Sequence, residues 1–201
     1  MCCEEEYRVI IAVISDTHIP HKHEKLTERV LDSLKGVDLI LHCGDIVAPE
    51  VLAELALYAP VEAVAGNHDG EYFGNSLPRK RVVEADGFRI GMVHGDELNG
   101  VHINKALQLE LLYPILCEPF LNEPGLDCII FGHGHKPMLD SLRVEFTPPS
   151  KVSRRIKKEV LLFNPGKATR TRNIASIGFL HLEKDTLRAE VKIFTYNREL
   201  V

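Results

Sequence analysis

The chain has 201 residues, 45% of them hydrophobic and 26% charged, which is enough apolar material for one ordinary globular domain with a substantial core. The 29 acidic residues outnumber the 24 basic ones and give a net charge of −5, which excludes a global basic footprint for nucleic acid. No apolar run approaches the ~20 residues that span a bilayer, and the five cysteines contain no CxxC pair, which argues against a disulfide framework and for buried thiols.

The opening residues, MCCEEEYRV, are acidic where a secretory leader would be basic and then apolar, so the expected location is cytoplasmic. A first strand follows in YRVIIAVIS, a run of β-branched residues of the fully buried kind. Leu26, Val30, Leu31 and Leu34 then fall at helical spacing, with Gly36 as a stop. VDLILHCGD predicts a second strand, APEVLAELALY a short helix and PVEAVAGNHD a third strand. Such alternation points to parallel strands with covering helices. Two further strands meet at Ala85-Asp86-Gly87, a strong hairpin signal. Residues 99–121 have helical apolar spacing, broken at Pro114 and Pro119. CIIFGHGHKP, MLDSLRVEF, EVLLFNPG, SIGFLHLEK and LRAEVKIFTY complete a β-rich carboxy-terminal part, the last two forming a hairpin around Asp185. Residues 147–159 are expected to form a long loop, and the basic cluster at 151–158 within it reads first as a solvated face.

The strand ends carry the chemistry. The first ends in Asp16 and His18, the second in Gly44-Asp45, and the third in Gly66-Asn67-His68-Asp69. The hairpin strand ends in His94-Gly95, and the last of the series in Gly132-His133-Gly134-His135. Alone, Asp16 is a turn residue, Asn67 a turn former and His94 a core histidine. Together they crowd one sheet edge with carboxylates and imidazoles, which is unfavourable without a compensating cation. Ligands in open α/β sheets bind at that edge, outside the carboxyl ends of strands. In extended chain, His133 and His135 would face the same side roughly 6.6 Å apart. His21, His23, His102 and His181 lack this setting and read as surface or packing residues. His42 and Cys43 are expected to pack.

In this order, the motifs DxH, GD, GNHD, isolated His and GHxH resemble those of the calcineurin-like metallophosphoesterases, closest to the small single-domain phosphodiesterase-like branch. The likeness runs from the first strand to Pro137, and Asn164-Pro165-Gly166 extends it. The resemblance implies an α/β fold, a four-layer α/β/β/α sandwich of two mixed β-sheets flanked by helices, as one domain over residues 1–201. It implies two metal ions, one held by Asp16, His18 and His135, the other by Asn67, His94 and His133, with Asp45 bridging both. It also implies that His68 meets the phosphate or the leaving oxygen and that Asp69 orients its imidazole.

The expected function is a dinuclear-metal-dependent phosphoesterase, foremost a phosphodiesterase. It would act by in-line attack of a hydroxide generated between the ions. The mixed nitrogen and oxygen donors, with no thiolate, suit manganese, iron, zinc, cobalt or nickel alike, and manganese is the expected ion. The expected partner is a small phosphoester substrate and no membrane. Nucleic acid is left open but not favoured, and a homo-oligomer is left open. The alternatives are a protein-binding scaffold of the same fold, like the retromer subunit, or a nuclease. Retention of all seven ligand positions and His68 favours an enzyme over the scaffold.

Overall fold

The computed structural model describes residues 8–20, 25–98, 116–120, 123, 125–146 and 156–196. Most of the helix expected over 99–121 and of the loop expected over 147–159 lies outside these residues, as do His21, His23 and His102.

Ten strands form two five-stranded mixed sheets. The first sheet has the order β10-β9-β1-β2-β3 and the second β4-β5-β6-β8-β7. Their bounds are β1 Val9–Ile14, β2 Leu39–His42, β3 Val61–Ala63, β4 Lys80–Ala85 and β5 Phe88–Val93. They continue with β6 Cys128–Ile130, β7 Pro137–Phe146, β8 Ile156–Pro165, β9 Ile174–Glu183 and β10 Thr186–Thr195. Both expected hairpins are present. In the first, Asp86 (φ 47°) and Gly87 (φ 80°) make the two-residue link between Ala85 and Phe88, and two left-handed residues in succession match the right-handed twist of the strands.

The central strands of each sheet are buried on both faces, which explains their continuous apolar runs. In β1, Ile11 and Val13 face the second sheet and join Leu41, Ile90, Met92, Ile130, Phe163 and Leu180 in the inter-sheet core. The alternate residues Ala12 and Ile14 face outward, against Leu26, Val30 and Leu34. Of those three, Val30 lies in helix α1 (Glu28–Asp32) and the other two flank it; Val51 and Leu55, from helix α2 (Pro49–Leu55), join them. Pro49 opens α2 at a position where its missing N–H costs nothing. On the far side of the second sheet, Ile129, Leu162 and Val160 pack on Leu116, Phe120 and Leu126. Arg81 of β4 and Glu62 of β3 pair across the adjoining edges of the two sheets.

What this places is a rim. β1, β2 and β3 run parallel to one another, and so do β5, β6 and β8. The carboxyl ends of these two triplets bring their loops together along one edge of the sandwich.

The two sheets interlock at Phe163, which is fully buried and faces Gly178 of the first sheet. A Cβ on Gly178 would lie 2.3 Å from the Phe163 ring. Gly178→Ala should therefore lower stability by about 1–3 kcal/mol through overpacking, and Phe163→Ala by about 3–5 kcal/mol through the cavity it leaves. Urea unfolding of the two variants checks both values.

Candidate metal centre

The candidate ligands reach the rim on unusual backbone. Asp16 (φ 56°), His18 (φ 50°), Asp45 (φ 55°), His133 (φ 61°) and His135 (φ 53°) all adopt left-handed conformations. Asp and His tolerate this region better than most residues, and it concentrates at functional sites. The extended-chain expectation for His133 and His135 is therefore corrected. Left-handed residues in a bend send the two imidazoles to different groups.

Three groups of ligand-type side chains converge, each with its donor atoms within 4.8 Å of one another. They are Asp16, His18 and His135; Asp45, His94 and His133; and His18, Asp45 and His68. Asp45 joins them. Its Oδ2 lies 3.5 Å from His18 Nε2, 3.3 Å from His94 Nε2 and 4.0 Å from His68 Nε2. Asp16 Oδ1 lies 3.1 Å from His135 Nε2 and 3.8 Å from His18 Nε2.

The other carboxylate oxygens are occupied, so the orientation is fixed. Asp16 Oδ2 accepts from the Ser15 hydroxyl at 2.6 Å and from the His133 N–H at 3.0 Å. Asp45 Oδ1 accepts from the His68 N–H at 2.9 Å. His94 Nδ1 lies 2.7 Å from the Cys43 carbonyl, so it is the protonated nitrogen, and in the neutral ring Nε2 keeps its lone pair. Asp16 Oδ1 and His94 Nε2 are buried with no hydrogen-bond partner. Orphaned buried acceptors are rare, and two of them aimed into one space lined by carboxylates and imidazoles fit a bound divalent ion.

The electrostatics agree. Burial alone would raise the Asp16 carboxyl, but the His135 contact and the His94 charge outweigh it and hold it below its ordinary value. Burial likewise opposes the downward shift of Asp45, where the adjacent His94 prevails. Burial pulls His94 down while Asp45 and Asp16 pull it up, and the net result is a rise to about 9. Burial and the His94 charge depress His133. His42 is fully buried and pushed down to about 4 by burial; it packs, as expected, with Nε2 3.3 Å from the Thr17 hydroxyl. Cys43 also packs in the inter-sheet core, as expected.

His68 lies in a turn, 47% exposed, with its ring 5.2 Å from that of His18; Asp69 departs from expectation. Asp69 was expected to orient the His68 imidazole. Its carboxylate is fully buried and engaged by four backbone N–H groups, of Asp45, Ile46, Val47 and Gly66. Asn67 is exposed in the same turn.

Several supporting residues had no local sequence signal. Thr169 donates to the Thr17 carbonyl at 3.0 Å, and Asn164 donates to the Gly132 carbonyl at 2.6 Å while accepting from the Gly166 N–H. Asn164 was legible only as part of a turn, although it ties β8 to the GHGH loop.

The profile of the calcineurin-like phosphoesterase superfamily domain matches residues 9–186. The chain belongs to that superfamily. A probable metallophosphoesterase of Methanothermobacter thermautotrophicus is 35% identical over 184 residues, with 91% of each chain covered. A phosphodiesterase of Methanocaldococcus jannaschii is 25% identical, covering 89% of this chain and 96% of that one. Among solved structures, vacuolar protein sorting 29 from Cryptosporidium parvum superposes with a TM-score of 0.64 at 19% identity, over 94% of this chain and all of that one. That likeness shows the fold, two mixed sheets with few helices. Among the described residues, no helix of this superfamily member is long and apolar enough to cross a membrane.

The His94–Asp45 pair sets a pH dependence in metal-free protein. With His94 raised from 6.5 to about 9, its contribution to folding is complete below pH 6.5 and is lost as pH rises through 9. Asp45 is depressed, so its contribution is present above its ordinary value of 3.8 and lost on acidification. Buried His42, pushed down from 6.5 to about 4, works the other way, its contribution being complete above pH 6.5 and lost on acidification, so chelator-treated protein should melt highest near pH 6.5. An ion bound at His94 would take the place of its proton, so added Mn²⁺ should flatten the alkaline decline. Thermal unfolding against pH, with and without metal, measures this.

Proposed function

We propose that this superfamily member is a single-domain, dinuclear-metal-dependent phosphodiesterase. The observation that carries the proposal is the shared carboxylate. Asp45 Oδ2 faces His18 Nε2 of one group and His94 Nε2 of the other at nearly equal distances, 3.5 and 3.3 Å. In this reading Asp16, His18 and His135 hold one ion, Asn67, His94 and His133 hold the second, and Asp45 serves both. The donor set is nitrogen and oxygen without thiolate, which suits manganese, nickel, zinc, iron or cobalt, and manganese is the ion proposed.

When bound, two divalent ions supply Lewis-acid polarisation of phosphoryl oxygens and a lowered pKa for water. The protein's residues do the rest. Two carboxylates against two dications leave net positive charge at the rim, which draws a phosphoester anion. The Ser15 hydroxyl and the His133 and His68 N–H groups take one oxygen of each carboxylate, so the other two aim inward. His68 stands at the open side of the rim, where its imidazole meets the leaving oxygen of the ester and gives it a proton. The curated phosphodiesterase relative supports a diester over a monoester. Likeness to vacuolar protein sorting 29 is a likeness of fold, and the complete donor set favours hydrolysis over a purely scaffolding role.

Two experiments test the reading. Asp45→Ala should lose both metal and turnover more completely than His18→Ala, since Asp45 serves both ions. Equal metal content and equal rates in the two variants would sink the shared-carboxylate assignment. His68→Ala should keep both ions and lose about 10²–10⁴-fold in rate, the loss being smaller for nitrophenyl esters than for alkyl esters. Metal analysis, with rates over a series of diesters of graded leaving-group pKa, checks this, and loss of an ion from the variant would make His68 a ligand.

A further inference from the structure

We propose that Asp69 is a positioning residue for the Asp45 carboxylate, acting through the backbone of the 45–47 turn rather than on the His68 imidazole. The proposal rests on the assignment of Asp45 as the shared ligand.

The geometry is a reciprocal clasp between two turns. Asp69, in the turn after β3, sends its carboxylate to the turn after β2. Oδ1 accepts from the Ile46 and Val47 N–H groups at 2.8 and 2.7 Å. Oδ2 accepts from the Asp45 and Gly66 N–H groups at 2.9 and 2.7 Å. In return, the Asp45 carboxylate crosses back and takes the His68 N–H at 2.9 Å. The two turns are in direct contact, since a Cβ on Gly66 would lie 2.3 Å from Asp45 Oδ1.

The 45–47 turn needs such a hold. Asp45 (φ 55°) and Val47 (φ 81°) are both left-handed, and for a β-branched residue such as Val47 this region is a genuine outlier. Strained backbone of this kind persists only where its surroundings over-determine it. Successive N–H groups in a turn that mixes left- and right-handed residues form a concavity for an anion. Here the anion is the protein's own buried carboxylate, and its four acceptor sites are filled by four donors. Nothing is left over to orient an imidazole. The direction of the Asp45 side chain follows from its left-handed backbone, so the clasp determines where Oδ2 points.

Asp69→Asn tests this. An asparagine keeps one acceptor oxygen and turns an NH₂ group toward backbone donors, so two of the four N–H groups lose their acceptor. Metal affinity is read by calorimetry with Mn²⁺. The clasp predicts at least a tenfold weaker affinity, a rate loss that is the same for nitrophenyl and alkyl esters, and partial recovery of rate at high Mn²⁺. If Asp69 oriented His68, the variant would copy His68→Ala: affinity within twofold of the parent, and a loss graded with the leaving group. That outcome overturns the proposal. A stability control separates positioning from general destabilisation. Leu182→Ala, in the inter-sheet core near the opposite end of β9, should lower the melting temperature with metal affinity unchanged. An equal loss of affinity in that control overturns the proposal as well. In an Asp45→Asn background, Asp69→Asn should weaken Mn²⁺ binding no further. Should the variant fail to fold, hydrogen exchange on the unaltered protein decides. The amides of Ile46, Val47 and Gly66 should be protected with and without Mn²⁺, and rapid exchange without metal overturns the clasp. The same exchange measurement stays decisive if the parent binds no Mn²⁺, so failure of the metal assignment and failure of the clasp are told apart.

Discussion

The rest of the rim depends on one electrostatic constraint, the burial of Asp16 and Asp45 side by side with imidazoles turned toward them. Two carboxylates taken out of water and placed together are costly unless positive charge balances them. Without an ion, His94 supplies part of that balance by keeping a proton to unusually high pH. Under the proposed metal assignment the imidazoles would be neutral donors and the metals would supply the positive charge. The structure around the pair serves both conditions, because one oxygen of each carboxylate is tied to hydroxyl or backbone donors whatever occupies the middle.

Holding that arrangement requires backbone that would be unfavourable elsewhere. Five candidate ligands sit at positive φ, and each such turn draws on the packed sheets beneath it. The sandwich provides the support through its parallel triplets, which end at the same edge and carry the interlocked core of Phe163 and Gly178 just below. A rigid pair of sheets with strained loops at one rim is the general relation between scaffold and site.

This division explains what was legible in the sequence. β1 could be read from VIIAVI because a strand buried on both faces leaves an uninterrupted apolar run. The hairpin at Asp86-Gly87 could be read because the turn demands those residue types. That Asp16, His18, Asp45, His94, His133 and His135 gather at one rim could be read from their places at strand ends, with glycine beside all but the Asp16–His18 pair. The directions of the side chains could not. Alternation along an extended strand predicted that His133 and His135 face one object. Left-handed residues break that alternation. The partners of Asp69, Asn164 and Thr169 were out of reach for another reason. Asp69 meets backbone about 22 to 24 residues away, Asn164 reaches 32 and Thr169 152, and backbone N–H and C=O groups leave no residue-specific mark in the sequence.

The comparison of Asp69 with His68 shows how a motif can mislead when it is read as a unit. In Gly66-Asn67-His68-Asp69 the carboxylate follows the imidazole directly, and proximity in sequence invites a carboxylate–histidine pair. Geometry assigns the two side chains to opposite sides of the turn. His68 goes to the open side of the rim, where it is 47% exposed. Asp69 goes inward, where no solvent reaches it and four N–H groups wait without other acceptors. A buried carboxylate with a full complement of backbone donors is already satisfied, and drawing it toward the imidazole would orphan donors in the turn that aims Asp45. The motif thus joins two placements that one turn makes compatible: an imidazole turned outward and a carboxylate tied inward to backbone donors.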